Sequence, residues 1–254
     1  VTDGLLERLE HRVSVERFVQ HQMQRVLGFD RYLYWFSRVK SRTLRWDRYE
    51  RDVRAFIEMI PRGGVALDIG ANIGIMTAPM ARQVTERGTV FAYEPIPENL
   101  AVLRRIVARL DQVEVHGVAL GDEAGELEMV MPVQEQVRMQ GLSHVAGPED
   151  DVAGARYTVP VWRLDDRPEL AGVDVAAIKV DVENFEAHVF RGGRALIERC
   201  RPVIYTELWD GPVRYETFEL FEQLDYVVRV HDGDRLVAHD PAVHQQHNFF
   251  LCPR

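Results

Sequence analysis

The stretch VALDIGANIG, Val65 to Gly74, decides the fold of this chain. Val65, Ala66, Leu67 and Ile69 give a short apolar run suited to a strand buried on both faces, as in a parallel sheet. Gly70 and Gly74 then break it, and the residues after them suit a helix. A strand, a glycine loop and a helix in that order commonly cradle a nucleotide. The carboxylate of Asp68, two residues before the first glycine, would repel a phosphate lying against it, so the question is which nucleotide fits.

Working outward, strand and helix signals alternate. Residues 74–86 predict a helix, with Pro79 confined to its first turns or kinking it. TVFAYEP is a second strand, and Leu100, Leu103, Val107 and Leu110 form one helical stripe. VEVHGVAL is a third strand; ELEMVMPV and RYTVPVWRL are strand-like, joined by a long polar connection from Gln134 to Arg156 that predicts a functional segment rather than core. VAAIKVDVE is another buried strand, followed by the helix FEAHVFRGGRALIER, the strand RPVIYTELW and a helix through Leu224. YVVRVHD and HNFFLCPR are two closing strands. This alternation predicts an α/β fold: a mostly parallel sheet with helices on both faces and its ligand beyond the carboxyl ends of the strands.

Upstream, residues 1–62 read as a helical extension, with Val19, Met23 and Val26 at helical spacing. Its aromatic run FDRYLYWF, Phe29 to Phe36, is expected to pack the extension onto the main domain; the alternative is a lid that stacks on a substrate. The expected division is 1–62 for the extension and 63–254 for the ligand-binding domain.

The 254 residues carry a net charge of −9, which argues against broad binding to nucleic acid or anionic membrane and permits a neutral substrate. No apolar run reaches membrane-spanning length, and the charged N-terminus shows no apolar signal core. Cys200 and Cys252 have no metal or redox spacing and read as free thiols of a reducing cytosol, so a cytoplasmic protein is expected, as a monomer or homodimer.

The loop itself narrows the ligand. A dinucleotide fingerprint places a glycine where this chain has Asn72, and no Gly-Lys-Ser/Thr phosphate loop is present. A nearby carboxylate suits a ligand with positive charge, and S-adenosylmethionine carries a sulfonium and an ammonium. Glu94, at the end of the second strand, is placed to accept hydrogen bonds from both ribose hydroxyls, as in NAD or S-adenosylmethionine enzymes.

LDIGANIG, GTVFAYEPIPENL, GVALGDEAGELEM, VPVWRLDD, IKVDVENFEAHVFRGG and RPVIYTELW, in this order over roughly residues 60–210, resemble the successive motifs of the FkbM-type methyltransferases. The resemblance implies a Rossmann-like class I methyltransferase fold, a mostly parallel seven-stranded sheet with an antiparallel last strand. It also implies S-adenosylmethionine as donor and commonly a hydroxyl oxygen as acceptor. On the matching positions Asp68, Gly70, Asn72 and Glu94 would hold the cofactor, and Ala119 would contact the adenine. Two departures stand out: Asn184 replaces the glycine of D-x-E-G-x-E, and His144 falls where members tend to carry small residues. Asn is the residue besides glycine that best tolerates a positive φ, so the turn can survive.

Methyl transfer to a hydroxyl needs alignment and is helped by a general base. His144, Asp181 and Glu207 are the expected catalytic residues, with His144 the preferred base because histidine accepts a proton near neutral pH. Glu183 or Glu186 is expected to be a cap or a solvated side chain. His188 is expected to be structural; His231, His239, His244 and His247 lie near the C-terminus, and HQQH, His244 to His247, is expected on the surface rather than in a zinc site. Asp181 and Glu207 with waters also form a candidate Mg²⁺ site.

The expected function is O-methylation of a carbohydrate hydroxyl; the Arg- and Ala-rich actinobacterial style associates it with a mannoside precursor of a methylated polysaccharide. The alternatives are a natural-product scaffold as acceptor, an NAD-dependent oxidoreductase, and a non-catalytic cofactor-binding module.

Overall fold

The computed structural model describes residues 22–44, 50–134, 137–138, 143–146, 153–233 and 235–254. Val65–Ile69 forms β1, an interior strand of an eight-stranded sheet. Thr89–Tyr93 (β2) and Val113–His116 (β3) extend it in parallel on one side. Val175–Val180 and Val203–Glu207 extend it in parallel on the other. The strand order reverses at β1, between Thr89–Tyr93 and Val175–Val180, which puts the cleft of the sheet where the glycine loop emerges.

The far edge is antiparallel. Asn248–Pro253 inserts between Val203–Glu207 and Tyr226–Asp232 and runs against both. Arg235–Ala238 pairs back onto Tyr226–Asp232 as an eighth strand, one beyond the seven expected. This is the Rossmann-like class I methyltransferase arrangement. A second sheet is built on Gly125–Gln134 and Gly154–Trp162, paired antiparallel from Gly125↔Val161 to Pro132↔Gly154. The connection between them carries the short strand His144–Val145; its residues 135–136, 139–142 and 147–152 lie outside the described residues.

Alternation along β1 builds two cores. Leu67 and Ile69 face a cluster with Phe190, Leu196, Ile197 and Phe221. Ala66 faces the opposite cluster with Phe56, Met80, Val84, Tyr205 and Phe250. Each is a helix layer on one face of the sheet, and the strand between them is nearly all apolar for that reason. The helix Thr77–Val84 holds Pro79 in its first turn, where a missing N–H costs nothing.

The helices Phe29–Thr43 and Arg51–Met59 lie against the main domain. Tyr32 and Leu33 pack on Ile73 and Val102, and Ser37 donates to the Ile73 carbonyl at 2.6 Å. The packing stripe is therefore Tyr32, Leu33 and Ser37; Met23 and Val26 are exposed, and Val19 lies outside the described residues. Of the aromatic run, Tyr32 is buried while Trp35 and Phe36 face solvent.

Candidate functional site

At the carboxyl ends of β1, β2 and Val175–Val180 a cleft opens. Gly70, Asn72, Glu94, Asn99, Ala119, Asp181 and Glu183 all line it. Gly70 is required by packing: a Cβ there would lie 1.9 Å from the Asp181 carbonyl oxygen, so any side chain would push the loop away from the neighbouring strand. Gly70, Asn72 and Gly74 all take positive φ.

Glu94 is almost fully buried, and each of its oxygens accepts a backbone N–H. Asn72 donates to Oε2 at 2.8 Å and Ile96 to Oε1 at 2.9 Å. Burial pushes this carboxyl up to about 7, while those two donors pull against the rise. Asn99 turns its amide nitrogen toward Glu94 Oε1 at 3.4 Å, which leaves its buried Oδ1 at the cleft without a partner among the described residues. A buried acceptor of this kind fits a donor group on a ligand. Ile96, Val118, Ala119, Leu120, Met129 and Phe185 supply an apolar wall beside it. A buried carboxylate, an orphaned acceptor and an apolar slot together fit an adenosine moiety.

Asp68 does not line this cleft. It is fully buried, accepts the Thr77 hydroxyl at 2.6 Å and lies 3.5 Å from the Lys179 ammonium. Its place on the helix-facing side of β1 follows from strand alternation, since Gly70 and the cleft lie beyond the strand end. Asp68 therefore supports the loop from beneath rather than standing open to a ligand.

Lys179 is the residue the sequence reading passed over. It donates to the Gly70 carbonyl at 2.7 Å and sits 3.5 Å from both Asp68 and Asp181. Burial opposes its charge, but Asp181 and Asp68 outweigh that and hold the ammonium above the usual lysine range. The signal was available: a lysine in the middle of an apolar parallel strand needs paired carboxylates.

At the other end of the cleft the chain leaves Val180 through Asp181, Val182 and Glu183. Glu183 and Asn184 both take positive φ, 53° and 70°. Asn184 thus keeps the left-handed turn that a glycine would make. Two successive non-glycine residues in this conformation are costly, and such strain concentrates at functional sites. Burial, with the charges of Asp181, Glu207 and Glu186, pushes the Glu183 carboxyl up to about 8. Glu186 ties down the turn before its helix rather than capping the helix: it is buried, accepts the Val182 N–H at 3.0 Å, and burial raises it to about 7. Glu207, at the end of Val203–Glu207, is also raised, by burial and then by Asp181. It is close enough to Asp181 to feel its charge but does not line the cleft.

His144 is separated from this group. Ser143 and Val145 line the cleft and His144 does not, as alternation along a strand requires. Among the described residues no group of three or more His, Cys, Asp and Glu side chains is placed to hold a metal ion. The Mg²⁺ expected at Asp181 and Glu207 finds the Lys179 ammonium already beside Asp181. No helix among the described residues is long and apolar enough to cross a membrane.

A 2-O-methyltransferase, NoeI, of Sinorhizobium fredii (strain NBRC 101917 / NGR234) is 28% identical over 157 residues, 58% of this chain and 63% of that protein. The chain therefore spans less than two-thirds of that relative's length. A solved methyltransferase FkbM from Methylobacillus flagellatus KT aligns over 94% of this chain and 59% of its own, at 15% identity and a TM-score of 0.48. A S-adenosylmethionine-dependent O-methyltransferase from Thermotoga maritima aligns over 81% and 65%, at 16% identity and a TM-score of 0.45. The methyltransferase FkbM domain model matches residues 68–234, beginning at the aspartate under the glycine loop. That match takes in both ends of the cleft and most of the chain, and the protein accordingly belongs to the FkbM methyltransferase family.

Proposed function

We propose that the chain transfers a methyl group from S-adenosylmethionine to a hydroxyl oxygen of a carbohydrate. The observation that carries this is the cleft itself, with an adenosine-shaped end at Glu94 and a carboxylate-lined end at Asp181 and Glu183. The relative named as a 2-O-methyltransferase supports oxygen as the acceptor atom. The net charge of −9 and the acidic end of the cleft favour a neutral acceptor over a polyanion. Residues 63–254 form the methyltransferase domain in this reading, and the helices before it brace the glycine loop.

S-adenosylmethionine, when bound, supplies a methyl carbon already activated by a sulfonium. The residues of this chain do the rest. Glu94 orients the ribose, Asn99 Oδ1 accepts from the adenosine moiety, and the wall from Ile96 to Phe185 excludes water from the adenine. Asp181 offers negative charge to the cationic end, with Lys179 holding its carboxylate in place. Glu183 takes the proton that the acceptor hydroxyl gives up, in place of His144. A carboxyl raised to about 8 is a stronger base than an ordinary glutamate once ionised, and its ionised fraction grows as pH rises toward that value. Glu207 stands beyond Asp181 and sets the field at the acceptor side.

An NAD-dependent oxidoreductase is disfavoured by Asn72 in the position where the pyrophosphate needs a glycine. Thermal unfolding with S-adenosylhomocysteine, S-adenosylmethionine and NAD in parallel tests the donor. Ligand at about a hundred times its Kd should stabilise the fold by ~2.7 kcal/mol. Stabilisation by NAD alone would sink the proposal.

A further inference from the structure

Two residues beyond Glu207, at the same carboxyl edge of the sheet, Trp209 stands 48% exposed. Single exposed aromatics are ordinary on a protein surface. This one is distinguished by how it is held. Its indole stacks on the His247 ring, with centroids 4.4 Å apart and planes 28° from parallel. The backbone beneath it is fastened: Leu208 donates its N–H to the His247 carbonyl at 2.7 Å. Arg214 donates to the Leu208 carbonyl through Nε at 3.0 Å and through Nη2 at 2.7 Å. The same Nη2 meets His247 Nδ1 at 3.0 Å. A guanidinium can only donate, so Nδ1 accepts and the proton of the neutral ring sits on Nε2. One face of the indole is thus backed by a fixed imidazole, and part of its surface is left to solvent.

A flat aromatic surface clamped at low conformational cost is pre-organised for a flat partner. An indole buries 150–250 Å² when fully covered, so a half-exposed one offers roughly 100 Å². The electron-rich face of an indole attracts the weakly positive axial C–H groups of a pyranose ring, while the surrounding polar groups suit its hydroxyls. Position agrees with this. Trp209 is no more than about 7 Å of chain from Glu207, and Glu207 in turn feels the charge of Asp181 at the cleft.

We infer that Trp209, backed by His247, is the stacking platform for the pyranose ring of the acceptor, just outside the cleft. This rests on the carbohydrate reading above. It makes Trp209 a specificity determinant rather than a catalytic residue, acting on acceptor binding and not on the cofactor.

The test uses the full chain as wild type, Trp209→Leu and Trp209→Phe. Saturation-transfer NMR is recorded with neutral methyl pyranosides of mannose, glucose, galactose and rhamnose, with S-adenosylhomocysteine present; cofactor affinity is measured by calorimetry. The expected result is binding of at least one pyranoside by wild type. Trp209→Leu should weaken it about tenfold, and Trp209→Phe should retain most of it, as the usual worth of an aromatic contact implies. S-adenosylhomocysteine affinity should be the same in all three. Equal pyranoside binding by wild type and Trp209→Leu would overturn the platform and leave the carbohydrate reading standing. Binding of S-adenosylhomocysteine without any pyranoside by wild type would overturn both. If Trp209→Leu does not fold, the indole N–H resonance missing from Trp209→Phe decides. It should shift on adding the pyranoside to wild type, and no shift overturns the platform.

Discussion

The two ends of the cleft are built on different principles. The end proposed for the cofactor is centred on short contacts from backbone to side chain: Asn72 N–H and Ile96 N–H both fall on Glu94, beside the buried Asn99 Oδ1. The end proposed for the acceptor is a set of carboxylates that repel one another: Asp181 lies 3.5 Å from the buried Lys179 ammonium, and Glu183 and Glu207 feel the charges of both. The first is rigid because its hydrogen bonds are made before any ligand arrives. The second stays chemically responsive because its charges are only partly compensated. The proposed reaction, which holds one ligand and takes a proton from another, gains from having both kinds of end.

The sharpest way to break this comparison is Glu183→Gln. If Glu183 is the proton acceptor, single-turnover rates should fall by about 10²–10⁴-fold. S-adenosylhomocysteine affinity should change little. A full-rate variant would move the base elsewhere.

Lys179→Met comes next. It leaves Asp68 buried without its cation, and removing one partner of a buried pair costs about 3–5 kcal/mol. At roughly 2–4 °C per kcal/mol the melting temperature should drop by about 10 °C. An unchanged melting temperature would mean the ammonium contributes nothing to the acceptor end.

Glu94→Gln probes the other end. The amide can accept only one of the two backbone N–H groups, and a hydrogen bond to a charged group is worth about 1.5–3 kcal/mol. S-adenosylhomocysteine should then bind about 10–150-fold more weakly by calorimetry. An equal affinity would remove Glu94 from the ribose contact.

A smaller effect is expected from pH. Glu183 is raised from 4.5 to about 8, and Glu186 and Glu94 from 4.5 to about 7. The folded chain therefore prefers the protonated forms. Their stabilising contribution is complete below pH 4.5 and is lost as pH rises through 7 to 8. Melting scans should show stability falling over that window, and Glu183→Gln should remove the part lost near pH 8. A wild-type curve flat across the window would contradict the crowding of charge at the acceptor end.

The smallest change is expected for His144→Ala, with turnover within about twofold of wild type, since surface substitutions away from a site are nearly neutral. A large loss would return the base to His144.

Much of the cofactor end was legible in the chain. Gly70, Asn72 and Glu94 sit on one strand-loop-helix unit and the next strand, so local spacing brings them together. Asn184 was legible for the same reason, because a left-handed turn is a property of one residue's backbone. The acceptor end was not. Glu183 looked like a cap and Glu186 like its equal; only the direction of the turn after Val180 puts Glu183 at the cleft and turns Glu186 inward to Val182. His144 misled because a histidine on a polar connection reads as available, whereas pairing of His144 with Val130 sets which way its side chain points.

The sequence by itself determined the alternation of strands and helices and the glycine loop, because periodicity and φ preference are local. The tertiary structure alone decided that Asn248–Pro253 inserts between two earlier strands, that Lys179 sits between Asp68 and Asp181, and that Trp209 stands on His247. Those depend on which distant segments share an edge of the sheet, and that is fixed by packing of the two cores rather than by any residue's own preference.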